Sequence, residues 1–162
     1  LSIAVLDCEE ADIDFHARYS CTSKEYIYKI WNTEVRNPFL DGYALHYRYK
    51  LDEDMLNSAA QAYVGTHDFT SFCTLDSREK GDMTRTVKAF SVTREGNLVT
   101  MKVEADGFLY NMVRIMVGTL LRIQQGKIPV DGIAGIIEKK DRKFAGPTAQ
   151  PCGLYLNRVN YD

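Results

Sequence analysis

Among the 162 residues, Arg114 has the most demanding surroundings, because it sits in Leu109-Tyr110-Asn111-Met112-Val113-Arg114-Ile115-Met116-Val117, where almost every neighbour is apolar. A guanidinium drawn into such a segment and left unpaired is strongly destabilising, so it snorkels outward or an anion meets it. That anion is either a carboxylate of this chain in a structural ion pair, or a catalytic carboxylate or substrate group in an active site. Tyr26 and Tyr28, bracketed by Arg18, Lys24 and Lys29, form a second constellation. Aromatic rings on a strand with cations beside them can stack a nucleic-acid base and hold its phosphates, although the same rings also serve as ordinary strand packing. His16, His46 and His67 are too scattered to suggest a metal site, and His67-Asp68 beside Ser71 reads as a hydrogen-bonded turn before it reads as an acid–base pair. Cys8, Cys21, Cys73 and Cys152 form neither a CxxC pair nor a zinc-site spacing, which points to four reduced, mostly packed thiols and a reducing cytoplasm, although the even count would also permit two disulfides. No Walker-type loop, GxGxxG, HExxH or GxSxG is present, so nucleotide-cofactor and common hydrolase chemistries have no support.

Elements able to position these residues follow from hydrophobic periodicity. Ser2 to Leu6 reads as a short strand, followed by an acidic loop to Asp14. Glu25 to Trp31 alternates, with Tyr26, Tyr28 and Ile30 on one face, until Asn37-Pro38 breaks the pattern. Asp52 is placed to cap a helix carrying Met55, Leu56, Ala59, Ala60 and Tyr63, with Gly65 as its stop. Thr86 to Thr93 and Leu98 to Ala105 predict an antiparallel hairpin joined around Glu95-Gly96-Asn97. Asp106-Gly107 then turns the chain into a helix expected from Phe108 to about Ile123, apolar nearly all round and therefore central and buried. A further helix is expected from near Pro129, with Ile133, Ile136 and Ile137 inward, and Leu154 to Val159 alternates as a closing strand. This mixture predicts an α+β fold, a largely antiparallel sheet with helices packed on it.

Length and composition fit one domain over residues 1–162, with 1–14 closing a preceding unit or serving as a linker. A hydrophobic share of 45% excludes a disordered chain, and no apolar run is long enough to span a bilayer. The chain starts at Leu1 without a secretory signal pattern, and is expected to be cut from something longer. The net charge of −2 argues against a generic polyanion binder, yet Asp7, Glu9, Glu10, Asp12 and Asp14 concentrate acid at one end. The remainder is basic, with clusters at Arg78, Lys80, Arg85 and Lys88 and at Lys139, Lys140, Arg142 and Lys143; this permits RNA binding without indicating it.

A more specific signal is the run Phe15-His16-Ala17-Arg18-Tyr19-Ser20-Cys21-Thr22-Ser23-Lys24-Glu25-Tyr26-Ile27-Tyr28-Lys29-Ile30-Trp31-Asn32. It resembles the FHARFSATS..YRY..YN stretch of TruA-type tRNA pseudouridine synthases. Four more motifs follow in the family's order: Gly65-Thr66-His67-Asp68-Phe69-Thr70-Ser71-Phe72, Thr84-Arg85-Thr86, Phe108 through Gly118, and Gly153-Leu154-Tyr155-Leu156. With Ile3-Ala4-Val5 they cover essentially the whole chain. Asn111 and Gln150 depart from the pattern, standing where relatives often carry histidine and proline.

The resemblance implies the pseudouridine synthase fold and isomerisation of uridine to pseudouridine in the tRNA anticodon stem-loop, with neither metal nor organic cofactor. It also implies a cytoplasmic homodimer. Tyr26 aligns with the family's active-site tyrosine, which stacks on the uracil and is a candidate for taking the C5 proton; Arg114 aligns with the arginine that pairs with the nucleophilic aspartate. Arg18, Lys24, Leu154 and Leu156 are the further substrate-binding expectations. The nucleophile belongs to a Gly-Arg-Thr-Asp motif of the family's N-terminal half. Here only Arg85-Thr86 echoes it, with Val87 where the aspartate would stand, so the isolated chain is expected to be inactive. The competing expectations are a stand-alone tRNA-binding domain and a domain that serves dimer assembly.

Overall fold

A computed structural model describes residues 3–74 and 81–161. Its centre is a six-stranded sheet built on β1 (Cys21–Trp31), the strand foreseen from the alternating tyrosines. One edge of β1 pairs antiparallel with β5 (Leu98–Ala105) along Lys24–Trp31. Along its other edge run β6 (Leu154–Tyr161), antiparallel from Cys21 to Tyr28, and then the two residues of β2 (Leu45–His46), parallel at Ile30 and Trp31. β4 (Thr84–Glu95) joins β5 through the two-residue Gly96-Asn97 turn, and β3 (Gly65–Asp68) closes the far side. Gly96 takes φ of 56°, the left-handed conformation that a tight hairpin turn demands.

Alternation along β1 decides which face meets the core. Tyr28 and Ile30 are fully buried, as are the Met101 and Val99 that face them across the β1/β5 register. Three helices supply the other side of this core. In α1 (Glu53–Ala60), Asp52 caps the first turn by accepting from the Met55 amide, and Leu56, Ala59 and Ala60 are buried. A 3-10 turn over Gln61–Tyr63 continues it to Gly65, where β3 begins. In α3 (Gly132–Lys139) the inward residues are Ile133, Ile136 and Ile137, as expected. The central α2 (Met112–Gln124) buries nine of its thirteen residues.

Two expectations are corrected. Residues 3–6 form no strand, and Ile3, Val5 and Leu6 are more than four-fifths exposed. Branched apolar side chains favour a strand only where a sheet edge and a packing face receive them, and the described sheet offers neither here. The second correction bears on function: α2 starts at Met112, four residues after the predicted start. Asn111 adopts φ of 61°, which stops the helix from extending backwards and leaves Phe108–Asn111 as a separate segment over the sheet end.

Candidate active site

That segment forms one wall of a cleft of about 390 Å³ at the N-terminal end of α2. Phe108, Leu109, Tyr110 and Asn111 line it together with Met112, Val113 and Arg114 of the first helical turn; Tyr26 comes from β1, Pro151 from the 3-10 turn before β6, Leu154 from the start of β6, and Arg18 from the turn before β1. Asp106 sets up this geometry, because its amide donates to Thr86 O at 3.1 Å and its carboxylate accepts from the Thr86 amide at 2.9 Å. The chain is thereby pinned at the end of β5 and redirected across the sheet.

Tyr26 is half-buried and presents its ring to the cleft, held edge-on by Phe108 at 5.1 Å between centroids and 84° between planes. Among the described residues its hydroxyl makes no hydrogen bond. Two residues along, Tyr28 is fully buried and donates to Gln150 O at 2.6 Å. Burial pushes its hydroxyl far above the ordinary tyrosine range; Cys152 adds to the shift and Arg114 opposes it. Two tyrosines of the same strand face therefore have separate tasks: Tyr28 fastens the loop before β6, and Tyr26 lines the cleft.

Arg114 is half-buried rather than enclosed. Its Nε donates to Ala149 O at 2.7 Å and its Nη1 to Asn111 Oδ1 at 2.9 Å. Of the alternatives the sequence left open, a structural ion pair within the chain is not formed among the described residues, where no carboxylate pairs with it. Neutral oxygens satisfy part of the guanidinium. The remaining N–H groups have no partner among the described residues, and Arg114 is one of the residues that line the cleft.

Arg18 is exposed at the mouth, on a turn braced from several sides. The Arg18 amide donates to His16 Nδ1 at 3.1 Å, its carbonyl accepts from Cys21 Sγ at 3.1 Å and Lys24 Nζ at 3.5 Å, and Tyr161 Oη donates to Ala17 O at 2.8 Å. Lys24 thus supports the turn and does not line the cleft. Leu154 lines it, but Leu156 does not: paired opposite Tyr26 in the β1/β6 register, it is 52% exposed. A strand places alternate residues on one face but does not keep them over the same hollow, and Leu156 lies a full repeat beyond Leu154.

The remaining sequence candidates fall elsewhere. Asp68 accepts from the Thr70 amide and hydroxyl at 3.0 and 2.6 Å, and Ser71 donates to Ile136 O at 2.7 Å; this is the turn that was expected. Val87, in the position where a nucleophile would be needed, is buried in β4. Arg78 and Lys80 lie outside the described residues, and in the second basic cluster Lys140 pairs with Asp68 at 2.9 Å while Lys139 sits 4.0 Å from the Phe144 ring centroid. None of the four cysteines forms a disulfide among the described residues; Cys73 is buried, Cys21 and Cys152 are partly buried, and Cys8 is exposed. Among the described residues no three His, Cys, Asp or Glu gather as a metal site, and no helix is long and apolar enough to cross a membrane.

Sequence reasoning missed Phe108, Tyr110, Asn111 and Pro151 as cleft residues. The available signal was Asn111 itself, a residue tolerant of left-handed backbone interrupting an apolar run just after a turn.

The profile of the tRNA pseudouridine synthase family matches residues 59–162. The chain is 46% identical over 160 residues to tRNA pseudouridine synthase A of Geobacillus sp. (strain WCH70), covering 99% of this chain and 64% of that protein. It is 44% identical to the enzyme of the same name from Bacillus pumilus (strain SAFR-032), covering 99% and 64%, and 43% identical to that of Shewanella frigidimarina (strain NCIMB 400), covering 99% and 61%. The chain therefore spans a little under two thirds of the length of these relatives. With its motifs, its α+β sheet architecture and this match in agreement, the chain belongs to the TruA-type tRNA pseudouridine synthase family.

Proposed function

We propose that the chain is the C-terminal, substrate-side domain of an enzyme that isomerises uridine to pseudouridine in the anticodon stem-loop of tRNA. The observation that carries this reading is the convergence of Tyr26, Arg18, Leu154 and Arg114 on one cleft, with no carboxylate on Arg114 among the described residues.

The chemistry asks for such a set. The target uridine leaves its stack and enters a pocket, and a carboxylate attacks the nucleoside so that the C1′–N1 bond breaks. The detached uracil turns and its C5 rejoins C1′ as the carboxylate departs from the nucleoside, after which the C5 proton is removed. Tyr26 offers its ring as the platform on which the uracil turns, and its uncommitted hydroxyl as the proton acceptor. Leu154 and Phe108 exclude water around the base. Arg114 orients the nucleophilic aspartate, which a segment outside these residues provides, and Arg18 meets a flanking phosphate at the mouth. Reactant and product are isomers, so the reaction consumes neither an oxidant nor a reductant; no metal and no organic cofactor belong to this reading. A cytoplasmic homodimer in the complete protein belongs to the same reading.

Incubation of the 162-residue chain with an anticodon stem-loop RNA should yield no pseudouridine, whereas the complete protein should turn over. Conversion by the chain alone would disprove an external nucleophile. Tight tRNA binding with no turnover by the complete protein would favour a binding domain instead.

A further inference from the structure

Asn111 departs from the ordinary behaviour of a helix-capping residue in two ways. An asparagine at an N-cap usually takes extended backbone and turns its side-chain oxygen onto an amide of the first turn. Here the backbone is left-handed, at φ 61° and ψ 7°, and the side chain makes no capping bond. Its Oδ1 accepts from Arg114 Nη1 at 2.9 Å instead, while Nδ2 donates to Thr74 Oγ1 at 3.3 Å. Helix stability is forgone locally and the amide is spent on the guanidinium, a pattern typical of sites under functional constraint.

Charge explains why the brace is an amide. A neutral oxygen holds one N–H of Arg114 without cancelling its charge; a carboxylate in the same place would cancel it. We propose that Asn111 is a positioning residue that keeps Arg114 oriented as an uncompensated cation, so that the unbonded part of its guanidinium receives a carboxylate supplied from outside the described residues. This rests on the role of Arg114 given above and extends it to a residue that acts through Arg114.

Aspartate is the natural probe, being isosteric with asparagine and tolerant of the same backbone. Side-chain 15N NMR of the 162-residue chain, with Arg114 assigned by its loss in Arg114→Lys, can be followed as sodium acetate is added against sodium chloride of equal ionic strength. In the wild type the Arg114 resonances move with acetate and not with chloride. In Asn111→Asp they start displaced, and acetate binds about tenfold more weakly. Asn111→Gly keeps the left-handed backbone but lacks the amide, so its response to acetate persists while the Nη signals broaden as rotation is released. An Asn111→Asp chain that binds acetate as the wild type does, or an Asn111→Gly chain with Nη signals as sharp, overturns the role of Asn111 alone. A wild type unmoved by acetate overturns the reading of Arg114 as well.

Discussion

Arg114 is bonded twice to Ala149: its Nε donates to the Ala149 carbonyl at 2.7 Å, and the Ala149 amide donates to the Arg114 carbonyl at 3.0 Å. Side chain and main chain of one helical residue thus hold the loop that leads into β6, and Tyr28 holds the next carbonyl, that of Gln150. The guanidinium is therefore part of the framework and of the cleft at once. Whatever displaces the loop between Phe144 and Pro151 must also turn Arg114.

Gly118 gives a direct way to displace it. The loop crosses α2 so closely that a β-carbon on Gly118 would lie 1.7 Å from Pro147 O, and one on Gly146 would lie 2.5 Å from Gly118 O. Gly146 also donates its amide to Thr119 Oγ1 at 2.8 Å, so the loop cannot simply lift away. Gly118→Ala should destabilise the chain by about 3 kcal/mol, the upper end of the usual range for a forced overpacking. Thermal or urea unfolding measures this, and the Arg114 side-chain resonances should shift in the same variant. A loss below about 0.5 kcal/mol would show that the crossing has room.

Tyr28→Phe separates the hydroxyl from the ring. The ring stays packed, but the Gln150 carbonyl loses its donor at a part-buried position, which should cost about 1 kcal/mol in urea unfolding. The pH dependence has a definite sign. Because burial raises the hydroxyl's folded value, the unfolded chain releases this proton first, and stability falls as pH climbs past the ordinary tyrosine value of about 10. Tyr28→Phe should flatten that alkaline loss, so an unchanged slope would assign it to other groups.

At the acid end, Asp68 is the group to watch. Burial tends to raise its carboxyl, but hydrogen bonds from Thr70 and Lys140 prevail and hold it below the ordinary aspartate value. A folded value below the unfolded one gives stability that is full above about pH 4 and is lost as pH falls through the folded value. Asp68→Asn should therefore melt lower than the wild type at pH 6, with the gap closing towards pH 3. A gap that stays constant with pH would mean that the carboxylate contributes nothing through its charge.

The fold was largely legible because its elements announce themselves locally. Tyr28 and Ile30 alternate, Asp52 caps α1, and Gly96-Asn97 makes a hairpin turn; each is a statement about neighbours in sequence. What was not legible depends on distant partners or on a single backbone angle. Ile3, Val5 and Leu6 carry strand propensity but have no edge to join among the described residues. The left-handed Asn111 moved the start of α2 by four residues and turned an expected helical turn into a wall of the cleft. Tyr26 and Arg114, both singled out by motif resemblance, line one cleft. The bonds of Arg114 to Ala149 and Asn111 could not be anticipated, since apolar sequence around an arginine says that it needs partners without saying which.

Tyr26 is where stacking and proton transfer can be told apart. Its ring rests edge-on against Phe108 at 5.1 Å, and its hydroxyl is uncommitted among the described residues, so Tyr26→Phe removes no structural bond and should change stability by less than about 0.5 kcal/mol. In the complete protein that variant should bind tRNA normally yet lose about 10²–10⁴ in turnover, the usual contribution of a positioned general base. Tyr26→Ala removes the platform too, and should additionally weaken tRNA binding by about 1–3 kcal/mol, the worth of one base–aromatic stack. Single-turnover rates set beside binding constants for the two variants separate the roles. If Tyr26→Phe turns over at the wild-type rate while Tyr26→Ala does not, the tyrosine is a platform alone, and the C5 proton leaves to another acceptor.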